Sequence, residues 1–352
     1  MLPVHAICAT FDSARRVVLQ TPSHRLAILA LGDPDYLDSL AGVTDSALRH
    51  NGQIVKWEKK RAVVRLMLEG AGKVAYLKQH HSPSLSRRLG SLIWPSAAMR
   101  SLRGAAILRQ HGYPTAQPLA VMEYRRRGLL QKSIYVSEEL TGAKSIDSFW
   151  LDELRSVQGK DGFRARRVFL SRLARLFRTL HRAGIYHNDL KANNILVLSD
   201  PAGRSDPKSA DPCCRDPRSS ERFFRLIDLE GLRSCFLVSW RRRIKNLAQL
   251  NRTLGSHLSR AEKLVFLNAY LNASTNRVRR AAKRNLIRQI LRETNRQIIR
   301  ERWRDRHEFE EIDHARLKAE FFNATSRRAR LALKRAVKLL TFSPQNRENT
   351  IT

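Results

Sequence analysis

The sequence predicts an α+β chain of two lobes, a small β-rich lobe followed by a larger helical one, with a basic helical extension at its C-terminal end. Three observations carry this expectation. Strand-length apolar runs bounded by turn residues occupy the first part of the chain, between residues 53 and 138. Apolar residues at helical spacing dominate from residue 169 onward. Between them, His187-Asn188-Asp189-Leu190-Lys191-Ala192-Asn193-Asn194 leads into an apolar strand, and a second acid, Asp228, follows the apolar pair Leu226-Ile227.

Residues 1–50 read as an N-terminal extension packing on the first lobe, with Asp33-Pro34-Asp35 opening a short helix through Leu48. Residues 51–137 form the first lobe. Gln53–Trp57, Ala62–Leu68 and Val74–Lys78 read as a meander whose second turn is Glu69-Gly70-Ala71-Gly72. Lys78 closes the third of these strands, the position from which a kinase lysine contacts the α- and β-phosphates of a nucleotide. The connection Glu58-Lys59-Lys60-Arg61 has no glycine-rich pattern; it either brings Lys59 or Lys60 near the phosphates or is an ordinary exposed hairpin. A helix spans Ser96 to His111 and stops at Gly112 with Pro114 beyond. No acidic residue lies between Ser82 and His111, so a partner for Lys78 comes from elsewhere, from Glu69 or Glu123, or is absent. Leu119–Tyr124 and Ser133–Glu138 read as two further strands.

Residues 138–275 form the second lobe. Glu138-Glu139-Leu140-Thr141-Gly142 reads as the interlobe hinge, where backbone groups at Glu138 and Leu140 would bind adenine and one of the two carboxylates would contact ribose or face water. Phe169, Leu173, Leu176, Phe177 and Leu180 make a helical stripe, and Gly184 ends that helix. His181 reads as a packed histidine. Ile195–Leu198 and Phe223–Ile227 are strands separated by the polar, proline-containing segment 199–221, a flexible hairpin insertion that lets two acids distant in sequence meet in space. Trp240–Leu254 and Arg260–Leu271 are helices. The extension, 276–352, carries a helix over Arg277–Arg306 and a last basic amphipathic helix near Ser326–Leu340, which either lies on a membrane surface or packs on the lobe.

The loop at 187–194 has the spacing of a kinase catalytic loop. Phosphoryl transfer needs in-line positioning and neutralisation of phosphate charge. Asp189 accepts the acceptor hydroxyl's proton or orients it, and Lys191 offsets charge beside the transferring group. Asn194 and Asp228 supply the oxygen ligands that Mg2+ prefers. His187 fixes the loop through hydrogen bonds. This resembles the catalytic loop of the protein-kinase-like superfamily, a resemblance that implies its bilobal fold.

Composition narrows the partners. Across 352 residues, 66 Lys+Arg face 32 Asp+Glu, a net charge of +34, which favours a polyanionic partner: nucleic acid, an anionic membrane or a phosphorylated lipid. Nucleic acid is not expected, since no aromatic platform or RNA-binding motif is present. Cys8, Cys213, Cys214 and Cys235 have no zinc spacing and suggest no disulfide framework, which suits a reducing cytosol. The N-terminus has no signal-peptide pattern, and apolar runs such as Leu26–Leu31 are too short to span a bilayer.

More particular segments add a resemblance. Gly112-Tyr113-Pro114-Thr115 with Pro118-Leu119-Ala120, the approach Leu180 to Leu190, Ile227-Asp228-Leu229, and Arg243-Ile244-Lys245-Asn246-Leu247-Ala248-Gln249-Leu250-Asn251 with Phe266–Leu271 resemble the Kdo/WaaP lipopolysaccharide kinase family over roughly residues 52–272. The resemblance implies ATP-dependent phosphorylation of a core sugar, Kdo or heptose, on a lipid A-linked lipopolysaccharide precursor. It also implies work at the cytoplasmic face of the inner membrane, on an anionic surface. Lys78, Asp189, Lys191, Asn194 and Asp228 inherit the roles given above. Two departures stand out: the helix glutamate that pairs with the strand lysine is missing, and Glu230 stands where many kinases have glycine. A protein kinase is the rival reading, opposed by Asn188 in place of an arginine and by the lack of Ala-Pro-Glu after Asp228. A non-catalytic membrane-binding pseudokinase is the third, opposed by the complete set of polar residues.

Overall fold

A computed structural model describes residues 14–20, 24–31, 52–58, 60–68, 72–81, 85–198, 223–272 and 283–303. The expected helix at 33–48, the turn residues Glu69–Ala71, the insertion at 199–221 and the helix at 326–340 lie outside these residues.

The first lobe is a seven-stranded antiparallel sheet in the order β1-β2-β6-β7-β5-β4-β3. Its strands are β1 (Ala14–Gln20), β2 (His24–Leu31), β3 (Gln53–Trp57), β4 (Arg61–Leu68), β5 (Lys73–His81), β6 (Pro118–Arg126) and β7 (Leu129–Glu138). The hairpin β1–β2, from the stretch read as an extension, belongs to this sheet: β2 pairs with β6 from His24↔Arg126 to Ala30↔Ala120. Period-two alternation in β5 buries Ala75, Leu77 and Gln79 and turns Tyr76 and Lys78 to the other face. One core fills the face formed by Ile28, Val64, Leu77, Met122, Ile134 and their neighbours.

Between β5 and β6 lie a short helix α1 (Leu85–Gly90) and α2 (Ala97–Gln110). Ser96 caps α2 by accepting from the Met99 N–H at 3.1 Å. Gly112, at φ 74, turns the chain out of it. The buried side of α2 joins the large core of the second lobe, along with Phe149, Trp150, Phe169, Phe177 and Phe224.

The second lobe continues with β8 (Ala143–Ser145), α3 (Ile146–Phe149), the 24-residue α4 (Gly159–Arg182), β9 (Ile185–His187), β10 (Ile195–Leu198), β11 (Phe224–Leu226), β12 (Leu232–Ser234), α5 (Trp240–Thr253) and α6 (Arg260–Leu271). The apolar stripe expected at 169–180 is the C-terminal half of α4. The first two turns of α4 were not foreseen because Gly159, Gly162 and several charges dilute the pattern there. Gly184 is required where it stands: at φ 75, a Cβ would sit 1.9 Å from the Cys235 carbonyl oxygen. β10 pairs with β11 at Ile195↔Leu226, and β9 with β12 at His187↔Leu232, so both ends of the catalytic stretch are clamped in two small sheets. Residues 283–290 are helical, with Leu286 buried in the core.

The chain divides into two units, residues 1–290 and 291–352. In the second, residues 291–303 are helical, and Glu293 accepts from Gln297 Nε2 at 3.3 Å. Among the described residues, no helix is long and apolar enough to cross a membrane.

Candidate active site

His187 organises the loop. Its Nδ1 accepts from the Asp189 N–H at 3.0 Å, so Nε2 carries the proton and donates to the Asp228 carbonyl at 2.9 Å. Burial pushes this imidazole below its ordinary range, which keeps it neutral and suited to one donated and one accepted bond. The ring therefore joins the loop that carries Asp189 to the turn that carries Asp228.

The same two segments are joined once more, and the turn is tied to a third segment. The Asn194 carbonyl accepts from the Ile227 N–H at 3.0 Å, beside Asp228. The Thr115 hydroxyl, from the Gly-Tyr-Pro-Thr segment, donates to the Leu226 carbonyl at 2.6 Å. Asn194 Nδ2 donates to the Asp189 carbonyl at 2.8 Å, which leaves its Oδ1 as the atom available to a cation. Lys191 Nζ lies 2.9 Å from Asp189 Oδ2. Asp228 itself has left-handed backbone, φ 56 and ψ 48, a strained state for a non-glycine residue that the surrounding bonds hold in place.

Lys78 meets Asp228: Nζ bonds Oδ1 across the lobes. Asp228 was not among the carboxylates anticipated for Lys78. Glu123 instead pairs with Arg125 at 2.9 Å, and Glu69 lies outside the described residues. Burial raises the Asp228 carboxyl, but the Lys78 ammonium, with His187 and Arg61, outweighs it and holds the group below its usual range.

The missing helix glutamate has a counterpart of opposite sign. Arg100, on α2, bonds the Glu230 carboxylate, two residues past Asp228. His80 Nε2 stands 3.7 Å from the other oxygen, and burial pushes that histidine down to about 4. Burial raises Glu230, but Arg100, together with His80 and Lys78, outweighs this and its carboxyl stays below the ordinary value. The helix also touches the turn directly: a Cβ on Gly104 would come within 2.5 Å of the Leu229 carbonyl oxygen. Glu230 stands out in the sequence as a departure from the kinase pattern; Arg100 does not, because it is a base on the helix where that pattern has an acid.

A second set of residues carried no assigned role in the sequence. Asn246, Gln249 and Thr253 are spaced i, i+3, i+7 on α5 and bond the backbone of the catalytic loop. Asn246 Oδ1 accepts from the His187 N–H at 3.3 Å, and its Nδ2 donates to the His187 carbonyl. Gln249 accepts from the Leu190 N–H at 3.1 Å and donates to the Asn188 carbonyl at 2.5 Å. Thr253 accepts from the Ala192 N–H at 3.0 Å. His181 sits behind them, as expected of a packed histidine: Nε2 donates to Asn246 Oδ1 at 3.2 Å and Nδ1 accepts from Tyr270 at 2.9 Å. Burial pushes it down to about 4. A polar i, i+3, i+7 stripe inside an otherwise apolar helix face was the available signal.

The hinge residues stand apart. The Glu138 N–H donates to the Gln117 carbonyl and the Glu139 N–H to the Val74 carbonyl, both at 2.9 Å. The Leu140 carbonyl accepts from Ala143 at 3.1 Å. The Glu139 carboxylate is held bidentately by Arg65 at 2.7 and 2.8 Å, and Glu138 faces Lys73 at 3.7 Å. In the β3–β4 turn, Lys60 is exposed, while Lys59 lies outside the described residues.

A cavity of about 990 Å3 opens on Asp189 and Asp228 and is lined also by Asn188, Glu230, Trp94 and four arginines, Arg61, Arg100, Arg103 and Arg233. Glu138, Leu140, Lys78 and Asn194 do not line it. Arg103 is pushed down by burial and by the like charge of Arg233. Among the described residues no three His, Cys, Asp or Glu side chains cluster as a ready-made metal cage. Mg2+ fits such a donor set when it is completed by phosphate oxygens and water.

The chain is similar to known proteins. The description "Lipopolysaccharide kinase (Kdo/WaaP) family" matches residues 52–270. Two curated Escherichia coli relatives, each named lipopolysaccharide core heptose(I) kinase WaaP, are similar. The one from strain K12 is 28% identical over 160 residues, covering 44% of this chain and 58% of its own length; the other is 29% identical over 159 residues, with the same coverage. The chain thus spans little more than half the length of these relatives. A solved structure of WaaP in complex with acyl carrier protein has the same fold, with a TM-score of 0.53 at 22% identity, covering 77% of this chain and 98% of that one. With the family match extending over well more than half of its residues, this chain belongs to the lipopolysaccharide kinase (Kdo/WaaP) family.

Proposed function

We propose that this chain transfers the γ-phosphoryl group of ATP to a sugar hydroxyl, of Kdo or heptose, in the lipopolysaccharide core on a lipid A-linked acceptor, at the cytoplasmic face of the inner membrane. The observation that carries the reading is the bonded circuit from Lys78 through Asp228 and His187 to Asp189, Lys191 and Asn194.

In this reading the Asp189 carboxylate accepts the proton of the acceptor hydroxyl as its oxygen forms the new bond to phosphorus and the bond to the ADP oxygen breaks. Lys191 neutralises charge on the transferring group. Lys78 exchanges Asp228 for the α- and β-phosphates when nucleotide arrives, which frees the carboxylate. Asp228 and Asn194 Oδ1 would then hold Mg2+, which supplies charge neutralisation at the phosphate oxygens. Backbone groups at Glu138 and Leu140 would receive adenine. Arg103 and Arg233 give the acceptor side of the cavity a positive lining, suited to an anionic sugar substrate.

The test is incubation with γ-labelled ATP and Mg2+ and either a lipid A-linked core acceptor or casein. Label is expected in the lipid-linked acceptor alone, and Asp189→Ala should abolish it with the melting temperature kept. Transfer only to protein, or full activity in Asp189→Ala, would overturn the reading.

A further inference from the structure

Soluble surfaces scatter their large apolar side chains singly; concentrations of them mark contacts with something else. Two short loops concentrate them here. At the end of α1 and in the loop after it, Leu89, Leu92, Ile93 and Trp94 are 50%, 63%, 80% and 62% exposed. In the loop between β12 and α5, Phe236 is fully exposed and Leu237 is 66% exposed, and Trp240, the first residue of α5, is 46% exposed.

Both loops reach the same place. Trp94 and Pro95 line the cavity that opens on Asp189, and so do Arg233 and Ser234, which run directly into the second loop. Phe236 is two residues from Ser234, so the two Cα atoms are no more than about 7 Å apart. The two loops therefore border the cavity that opens on the catalytic loop: Trp94 lines it, and Phe236 follows two residues after Ser234 of its wall.

The two chain segments that carry these apolar side chains hold charge of one sign. Residues 82–111 contain no carboxylate, and neither do residues 231–261, while together they contain twelve lysines and arginines. Arg241 and Lys245 are exposed on the first turns of α5, next to Trp240. Apolar side chains with tryptophan among them, ringed by cations, match the interfacial layer of an anionic bilayer: the apolar groups enter the acyl boundary and the cations meet lipid phosphates.

We propose that the loops at 89–94 and 236–240 are a lipid-docking surface that seats the entrance of the active site on an anionic membrane. The inference rests on the proposed function in that a lipid-linked acceptor would enter the cavity from the bilayer side. The docking itself needs no nucleotide and no transfer.

The test is co-sedimentation of the full chain with vesicles of phosphatidylethanolamine and phosphatidylglycerol, without ATP, against vesicles of phosphatidylcholine. The wild-type chain should bind the anionic vesicles and be released by high salt. The pair Ile93→Ser and Phe236→Ser should lower the vesicle-bound to free ratio at least tenfold. A Leu264→Ser control, on an exposed apolar residue of α6, should not change it. Undiminished binding by the double variant, including binding carried by the C-terminal extension alone, would overturn the proposal. So would equal binding to phosphatidylcholine. Label transfer to the lipid-linked acceptor, assayed separately in detergent micelles, reports the kinase reading, so either conclusion can fail without the other.

Discussion

Arg100 and Glu230 offer a sharp experiment, because their ion pair stands where a kinase of ordinary polarity has a helix glutamate and a glycine. Arg100 is 31% and Glu230 26% exposed at the side chain, between a surface pair and a buried one. Removing one partner of a charged hydrogen bond in such a setting costs about 1.5–3 kcal/mol. Reversal goes further: Arg100→Glu places two carboxylates about 4 Å apart, and at an effective dielectric of about 20 that repulsion is of order 4 kcal/mol before relaxation. Relaxation toward solvent will recover much of this, so a net cost of about 3 kcal/mol is expected, felt where α2 meets the Asp228 turn. Since about 1.4 kcal/mol is tenfold in rate, Arg100→Glu should lower kcat/KM for transfer about a hundredfold. Glu230→Arg should do at least as much, since it also sets a cation beside Lys78. The double variant Arg100→Glu/Glu230→Arg restores attraction and should regain at least tenfold over the worse single variant. The assay is labelled-phosphate transfer with all four proteins, with thermal melting in parallel. A double variant no more active than the worse single one would show that the pair does not set the position of the turn.

Two further outcomes follow from the polar groups behind the loop. Gln249→Leu should leave the Leu190 N–H and the Asn188 carbonyl without their partner and cost about 1–3 kcal/mol, read by urea denaturation, with an accompanying fall in kcat. His181, held near 4 by burial against an ordinary 6.5, binds its proton more readily in the unfolded chain. The neutral folded form is therefore fully favoured above about 6.5, and stability is lost as pH falls toward 4. Between pH 7 and 5 this group should account for roughly 2 kcal/mol of lost unfolding free energy, and His181→Leu should remove that part of the slope. An unchanged pH slope in His181→Leu would contradict it.

The strands and helices that carry strong periodicity were legible in the sequence. Gln53–Trp57, Ile195–Leu198 and Arg260–Leu271 stand where the pattern places them. The short strands β8, β9 and β12 were not, since three residues carry no period and exist only through their pairing. The catalytic loop was readable because its residues are close in sequence. The partner of Lys78 was not, because Asp228 lies 150 residues away and nothing local marks the pair. Charge reversal hid Arg100 in the same way: a search for an acid on α2 passes over a base that performs the contact from the other side. Exposure is likewise a property of the folded surface, so the apolar loops at 89–94 and 236–240 read as ordinary hydrophobic sequence until their surroundings are known.

The hairpin of β10 and β11 separates what fixes the site from what merely connects it. The Ile195↔Leu226 register and the bond from the Ile227 N–H to the Asn194 carbonyl set where Asn194 stands relative to Asp228. Neither depends on the residues between the strands. Closing a longer link costs little, about 0.6 kcal/mol for each doubling of its length. Residues 199–222 are therefore where this chain is expected to accept a fluorophore, an epitope or a different number of residues with Asn194 and Asp228 left in register.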